Sequence, residues 1–303
     1  MLHRLSDTLV RAWFTVVLVF ILALWVVGSF ASRVLLWVRL LRSRTQGDVS
    51  IAIGTLCARL LFALCPHVRI RRIPASRGWC GGHRREKRWQ PLMESERSPL
   101  LLMNHTSFLD LFVMCAAVTP LLVMRCHLRC IIAAKLTRLP LVGNALGVWS
   151  GNFPAHFKEE AGGISGGEGA SFATDQSKQA AVAEAMTAHV QTGGMLGICP
   201  EGTVNATPMT LQPFRHGAFR IAIAQEMPIF GMVTVGCNDC WPKRAGLGGW
   251  PATVYVGDPV HLLTPTAGMD CASVANECQR LMQEMHDSLR DLQQERPLAC
   301  CPV

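Results

Sequence analysis

The sequence predicts an α/β domain that follows a membrane-attached N-terminal segment. From Pro99 onward, short apolar runs of strand length alternate with stretches of helical apolar periodicity. Before that point, 20 residues from 12 to 31 carry no charge. The chain has 303 residues, half of them apolar, which is enough for a sizeable core. We therefore expect a mixed, mostly buried sheet flanked by helices.

The uncharged run from 12 to 31 predicts a transmembrane helix, because such a helix is about 30 Å long, the thickness of a hydrocarbon core. The alternative is a secretory signal peptide, whose apolar core is usually ~7–15 residues long. Trp13 and Trp25 lie towards the two ends of the run, loosely as interfacial aromatic residues do. More arginines follow the run than precede it, so the remainder is predicted to face the cytosol. These arginines are Arg4, Arg11, Arg33, Arg39, Arg42 and Arg44.

Residues 33–65 complete the predicted membrane anchor, 1–65. The segment from Arg33 to Arg44 is apolar and basic, which suits a helix on an anionic membrane surface. The apolar stretch 51–65 is short and contains Arg59, so it predicts a surface or re-entrant helix, or part of the core, better than a span. A basic linker, 66–97, includes the strand-like segment 68–73 and leads into a domain at 98–303.

Within that domain the pattern predicts five strands and four helices. The predicted strands are Leu100–Met103, Cys130–Ala134, Met195–Cys199, Ile229–Val235 and Thr253–Val256. The predicted helices are Ser107–Val118, Gln179–Gln191, Arg215–Gln225 and Ser273–Gln294. The Gly-rich segment 159–171 lacks the ending of a phosphate-binding P-loop and is expected to be a surface insertion.

The net charge and the cysteines indicate which classes of partner and ligand the protein can bind. The net charge is +8, and nine lysines or arginines fall between Arg69 and Arg97. A single tyrosine offers few stacking platforms for bases, so a lipid surface is a better partner than nucleic acid. Thirteen cysteines in a long chain with a cytosolic domain are expected to be free thiols. The pairs Cys126/Cys130 and Cys237/Cys240 lack a second ligand pair, and no metal is expected.

The first candidate for chemistry is the segment 104–110, NHTSFLD, which follows an apolar strand and opens a helical period. A histidine in that loop can fold back against the first helical turn. His105 would then meet Asp110, and a carboxylate bonded to one ring nitrogen leaves the other basic. Such a pair can remove a proton from a substrate hydroxyl.

The same H-x4-D spacing occurs again at His286 and Asp291. This second pair lies inside a predicted helix, where five residues correspond to 500°, or 140° around the axis. The two side chains therefore diverge, and we expect no catalytic pair there.

The second candidate is the turn 199–203, CPEGT, after the apolar strand MLGIC. Glu201 is expected to bond a glycerol hydroxyl, and free N–H groups near Gly202 and Thr203 suit an anion. Arg215, in the segment FRHGAF, is predicted at a helix start, where the dipole assists a phosphate site.

In this order and spacing, the segments resemble the glycerolipid acyltransferases, especially the 1-acylglycerol-3-phosphate acyltransferases. The resemblance runs from about residue 99 to 260. Its blocks are NHTSFLD, Ser150-Gly151-Asn152-Phe153, PEGTVN, FRHGAF and Met227-Pro228-Ile229-Phe230-Gly231-Met232-Val233.

What the resemblance implies is transfer of an acyl group from acyl-CoA to lysophosphatidic acid, giving phosphatidic acid. It implies His105 as general base, Asp110 as its partner, and a site for the acceptor at Glu201, Gly202 and Thr203. No cofactor is expected besides acyl-CoA as co-substrate, and the expected location is the endoplasmic reticulum membrane.

Two departures concern the acceptor phosphate. Phe157 and Val204 stand where the family has arginines, and Arg215, Arg220 or Lys158 are the candidates to compensate. Another lysophospholipid or glycerol-3-phosphate therefore stays open as the acceptor, as does a non-catalytic membrane adaptor of the same fold. A hydrolase is less favoured, since the GxSxG match at 163–167 lies in the Gly-rich segment expected to be a surface insertion, not at the strand-to-helix turn of a nucleophile elbow.

Overall fold

The computed structural model describes residues 2–74, 87–157 and 174–295. The helices of these residues are α1 Leu2–Trp37, α2 Ser43–Leu64, α3 Gln90–Met93, α4 Asp110–Ala117, α5 Pro120–Cys126, α6 Val142–Leu146, α7 Gln176–Gln191, α8 Gly217–Ala224, α9 Cys237–Cys240 and α10 Cys271–Glu295. The strands are β1 Val68–Ile73, β2 Leu100–Met103, β3 Arg129–Ala133, β4 Phe153–Ala155, β5 Leu196–Ile198, β6 Ile229–Met232, β7 Thr234–Val235, β8 Ala252–Gly257 and β9 Val260–Leu263.

Six strands form the main sheet, in the order β4-β3-β5-β2-β6-β9. All neighbours are parallel except β6 and β9, which are antiparallel. The connection from β2 to β3 passes over β5, whereas that from β5 to β6 passes over β2 in the opposite direction. In open α/β sheets, ligands bind at the carboxyl ends of strands where connections diverge in this way. The topology of the sheet therefore predicts a ligand site at the residues that follow Met103 and Ile198.

The central strand β2 is buried on both faces, as a parallel strand between two layers of helices must be. Leu101 and Met103 belong to one apolar cluster, and Leu100 and Leu102 belong to the other. A smaller sheet, β1-β8-β7, continues from β6 because the chain leaves the main sheet at Val233. The predicted mixed α/β sheet flanked by helices is confirmed.

The apolar N-terminal segment forms a helical hairpin that packs on the first of these clusters. One face of α1, including Phe14, Ile21 and Trp25, is buried in the same cluster as Leu101 of the sheet. The opposite face exposes large apolar side chains, among them Val16, Phe20, Val27 and Phe30. Both helices are long and apolar enough to cross a membrane, at 31 residues for 7–37 and 22 for 43–64. The predicted surface or re-entrant helices at 33–65 are wrong in their bounds, because α1 continues to Trp37 and α2 is one helix.

The packing of α1 also corrects one expectation about the membrane. Trp25 is not interfacial, since its ring packs on Gly54 of α2 and its indole N–H donates to Ser50. Arg11 lies 3.7 Å from the ring centre of Trp250, and Phe30 contacts the ring of Trp149. Both ends of the predicted span therefore contact the α/β domain that follows.

Arg59, the charge within the apolar stretch of α2, faces protein. Its guanidinium donates to the carbonyl oxygens of Ala116 (3.2 Å) and Val118 (2.7 Å) at the end of α4. A cation at this position satisfies open carbonyls and complements the negative end of the helix dipole. α2 thus supports the helix whose first turn carries Asp110.

Candidate active site

His105 and Asp110 meet at the junction between β2 and α4. Nδ1 of His105 lies 3.1 Å from Oδ2 of Asp110. The same oxygen accepts the backbone N–H groups of Thr106 (2.6 Å) and Ser107 (2.8 Å), which precede the helix and have no intrahelical partner. Asp110 is 1 % exposed in its side chain, and His105 is 24 % exposed. The predicted fold-back of the histidine onto the first helical turn is confirmed.

This geometry sets the chemical state of the histidine ring. A ring proton on Nδ1, donated to Asp110, leaves a lone pair on Nε2. The carboxylate also stabilises the ring when it becomes positively charged, because the pair is largely removed from water. The arrangement can therefore accept a proton from a hydroxyl and return it.

Glu201 connects the turn after β5 to the histidine segment. Its Oε1 accepts the backbone N–H of His105 at 2.8 Å, and its Oε2 accepts from Asn205 (2.9 Å) and Gln212 (3.0 Å). The carbonyl of His105 in turn accepts the N–H of Asn205 at 2.6 Å. Glu201 is 2 % exposed, and this burial raises its pKa. These bonds fix the backbone on both sides of the histidine.

The prediction that Glu201 bonds a glycerol hydroxyl is therefore not supported by the geometry. Both carboxylate oxygens already accept protein donors in the interior. Through these bonds Glu201 positions His105, and its contact with a glycerol hydroxyl stays a prediction. The motif as a sequence could not reveal this, because three of the donors belong to residues outside PEGT.

Asn104 and Ser107 bond the histidine segment, 104–110, to Thr234 and Trp241. Asn104 accepts the N–H of Thr234 and donates to its carbonyl, both at 2.8 Å, so the amide acts like one more backbone pairing between the ends of β2 and β7. The hydroxyl of Ser107 donates to the carbonyl of Trp241 at 2.7 Å. Both residues belong to the segment NHTSFLD, whose spacing alone does not indicate these contacts.

Gly202 permits the close approach of Arg215 to the PEGT turn. Its φ is +71°, and a Cβ there would lie 2.2 Å from Nε of Arg215. The guanidinium carbon of Arg215 also lies 4.9 Å from the ring centre of Phe157. Burial lowers the pKa of this arginine, which is half-buried. Arg215 thus lies between the turn and one of the two positions where the resemblance leads one to expect an arginine.

Two further expectations need correction, and two stay open. Arg215 does not begin a helix, since α8 starts at Gly217, and its N–H donates to the carbonyl of Pro200. The N–H of Gly202 is not free for an anion, because it donates to Cys199 at 3.0 Å. Thr203 is half-buried beside it. Lys158 lies outside the described residues.

Two thiols lie near the pair. Burial, followed by the charge of Asp110, raises the pKa of Cys199 and of Cys237 well above the ordinary value. Thiols in this environment stay protonated and are poor nucleophiles. Among the described residues, no three His, Cys, Asp or Glu side chains are grouped closely enough to hold a metal ion.

The acyltransferase family model matches residues 83–235, just over half of the chain. The chain belongs to the acyltransferase family. The 1-acyl-sn-glycerophosphate (LPA) acyltransferase PlsC from Thermotoga maritima has a similar structure, with a TM-score of 0.58 over 96 % of this chain and 97 % of that one. At 13 % identity, this likeness shows the fold. Among curated protein sequences, none matches the chain.

Proposed function

We propose that this acyltransferase moves a fatty acyl group from acyl-CoA to the free hydroxyl of a lysophospholipid, with lysophosphatidic acid as the first candidate and phosphatidic acid as the product. The observation that carries the proposal is the His105–Asp110 contact at the carboxyl end of β2, next to the buried Glu201 and the half-buried Arg215. A general base beside a cation is what an alcohol with a phosphate requires.

The reaction needs no acyl-enzyme. Nε2 of His105 takes the proton of the acceptor hydroxyl while Asp110 stabilises the imidazolium. The oxygen attacks the thioester carbonyl, and the tetrahedral intermediate collapses with loss of the coenzyme A thiolate. His105 then returns the proton to the thiolate. The raised pKa values of Cys199 and Cys237 favour this direct route over a cysteine intermediate.

The acceptor phosphate is assigned to Arg215. Its guanidinium lies beside Phe157 and Gly202, so a cation occupies the region from which the expected arginine at 157 is missing. The second expected arginine is replaced by Val204, which is 7 % exposed and packed inside. This site therefore has one cation where the family is expected to have two. For that reason a different lysophospholipid is the second candidate for the acceptor.

The membrane is the proposed location, with the catalytic part facing the cytosol and the endoplasmic reticulum as the expected organelle. The lipid-facing surface is the exposed apolar face of α1, since its other face packs on the core. Alkaline carbonate should not extract the full chain. A mature N-terminus near Ser32 would instead indicate a cleaved signal peptide.

The activity test uses purified protein, labelled acyl-CoA and a panel of acceptors. Lysophosphatidic acid, lysophospholipids with larger headgroups, glycerol-3-phosphate and monoacylglycerol separate the acceptor classes. Transfer to lysophosphatidic acid above the others supports the proposal. Release of free fatty acid without an acceptor would identify a hydrolase, and no turnover with any acceptor would identify an adaptor.

A further inference from the structure

A cavity of about 170 Å³ with both polar and apolar walls adjoins the histidine segment. Its walls come from the histidine segment, the loop after the PEGT turn, β7 with α9, and the last turns of α10, including Thr106, Pro208, Asn238, Asp239, His286 and Arg290. Thr106 directly follows His105, so the cavity begins within one residue of the proposed base. None of the functional roles assigned above uses it.

Three side-chain atoms at this cavity are buried without a hydrogen-bond partner: Oγ1 of Thr106, Nδ1 of His286 and Nε of Arg290. Thr106 and His286 are each 2 % exposed. Leaving a buried polar group without a partner is destabilising, so such groups usually mark a bound molecule or a functional role. Three of them along one cavity point to a ligand.

The charges around the cavity argue against a phosphate as that ligand. Arg290 is the cation, and its Nη2 lies 3.7 Å from Asp287. Asp239 adds a second carboxylate at the rim. Asp287 does not line the cavity, so its walls carry one positive and one negative group, Arg290 and Asp239, and offer an anion no net attraction. Burial lowers the pKa of His286, which keeps the ring neutral with one donor and one acceptor.

The remaining chemistry is neutral and balanced between donors and acceptors. A hydroxyl, a neutral imidazole and the amides of Asn238 and Gln293 each offer both roles. An amide ligand has the same pairing of one N–H and one carbonyl, and Nε of Arg290 suits a carbonyl oxygen. The cavity therefore matches a chain of amides and hydroxyls.

We infer that this cavity binds the pantetheine arm of the acyl donor. The arm is uncharged, carries two amides and a hydroxyl, and ends in the thioester that the acceptor must reach. The inference rests on the proposed function and assigns the donor to the cavity beside α10, whereas Arg215 is assigned to the acceptor phosphate. Acyl-CoA and acyl carrier protein share this arm, so the shared chemistry is what the cavity recognises.

The test compares donors that differ in the arm. Steady-state constants are measured for wild type, Thr106→Val, His286→Leu and His286→Gln, using acyl-CoA, acyl carrier protein and the ethanethiol thioester of the same fatty acid. Each lost neutral hydrogen bond should raise the KM for acyl-CoA about 2- to 12-fold. The KM for the lysolipid should not change. His286→Gln should recover part of the loss, because its amide keeps a donor and an acceptor.

Several outcomes decide between this and a structural role. Asp291→Asn, on the same helix but exposed, serves as the control. Equal losses with the ethanethiol thioester, which has no amide, or a changed lysolipid KM would overturn the assignment. Defects with both acyl-CoA and acyl carrier protein support the shared arm, and the wild-type preference identifies the natural donor.

A binding measurement separates failure of the cavity from failure of the proposed function. Calorimetry with coenzyme A itself should show weaker binding to Thr106→Val and His286→Leu, whether or not acyl transfer occurs. Weaker binding supports the cavity even if wild type transfers no acyl group, in which case only the proposed reaction fails. Unchanged binding in both variants contradicts the cavity assignment.

Discussion

Two histidines in this chain have an aspartate five residues later, and only one of them meets it. His105 lies 3.1 Å from Asp110. His286 lies 3.8 Å from its immediate neighbour Asp287, while Asp291 is exposed on the surface of α10. The predicted divergence of the second pair is confirmed. Spacing alone therefore does not specify a catalytic pair, and the local backbone does.

The backbone differs in a definite way between the two sites. Between Met103 and α4 the chain is not helical, so the residues before Asp110 turn their N–H groups onto its carboxylate. In α10 the corresponding N–H groups bond to carbonyls within the helix, and no local donors gather around Asp291. At the first site, backbone N–H groups that precede the helix have no intrahelical partner and bond to Asp110. Inside a helix the N–H groups are already bonded, so none is available for Asp291.

The largest effect should follow from removing the histidine that has its partner. We predict that His105→Ala lowers kcat about 10²–10⁴-fold, the usual loss for a general base, with folding and membrane binding unchanged. Turnover with saturating substrates measures the loss, and carbonate extraction and circular dichroism check the rest. A variant with most of its turnover intact contradicts the mechanism.

Next in size is the effect on the acceptor site. Arg215→Ala should raise the KM for lysophosphatidic acid about 10- to 150-fold, because a charge-assisted contact contributes roughly 1.5–3 kcal/mol. The KM for acyl-CoA should change little. Arg215→Lys should recover only part, since lysine lacks the planar fork.

For each protein, the KM for lysophosphatidic acid and the KM for acyl-CoA are measured from separate saturation curves. Arg220→Ala is the matched control, since Arg220 is exposed on α8 and was an alternative to Arg215. A change confined to the acyl-CoA curve would exclude the phosphate assignment and require another acceptor.

Much of the fold was predictable because buried strands and helices are apolar, in continuous runs or at regular spacing along the sequence. The strand Leu100–Met103 and the strand-like segment 68–73 have the predicted bounds, and the other predicted elements are correct within a few residues. The predicted strand Ile229–Val235 is instead two strands that belong to different sheets. A continuous apolar run records burial, but it does not record which sheet a residue joins. β4 and β9 were missed, β4 being three residues long with a proline at its centre.

The site was predictable only in part, for a different physical reason. His105 and Asp110 are close in sequence, so local geometry was enough to bring them together. The roles of Glu201 and Asn104 depend on partners 96 and 130 positions away, which no spacing rule can supply. The helix starts at 107 and 215 were predicted too early, because in each case preceding N–H groups bond elsewhere: those of Thr106 and Ser107 to Asp110, and that of Arg215 to Pro200.

A smaller effect should come from Glu201, which supports the first site and has no counterpart at the second. In Glu201→Gln one acceptor oxygen becomes an NH2 group that faces a donor. Leaving a buried polar group unsatisfied should lower the free energy of unfolding by about 1–3 kcal/mol and reduce kcat by displacing His105. Thermal unfolding and kinetics measure both changes.

Glu201→Asp serves as the matched control, because it keeps the charge and shortens the reach. If Glu201 contacted the acceptor instead of positioning His105, Glu201→Gln would raise the KM for lysophosphatidic acid and leave stability unchanged. That pattern would restore the role predicted from the sequence.

The same Asp→Asn change at Asp110 and at Asp291 should have very different effects, and the effect at Asp291 should be the smallest of all. Asp110→Asn replaces an oxygen that accepts three donors and should lower kcat strongly, because the amide cannot stabilise a protonated His105. Asp291→Asn removes an exposed charge and should leave kcat, KM and the unfolding midpoint within about twofold or within error of wild type. Both are measured in the same assay at saturating acyl-CoA. Equal losses would mean that H-x4-D spacing itself carries the chemistry, against the geometry of both sites. Unequal losses of the predicted order mean that an aspartate matters only where the chain leaves N–H groups free to hold it.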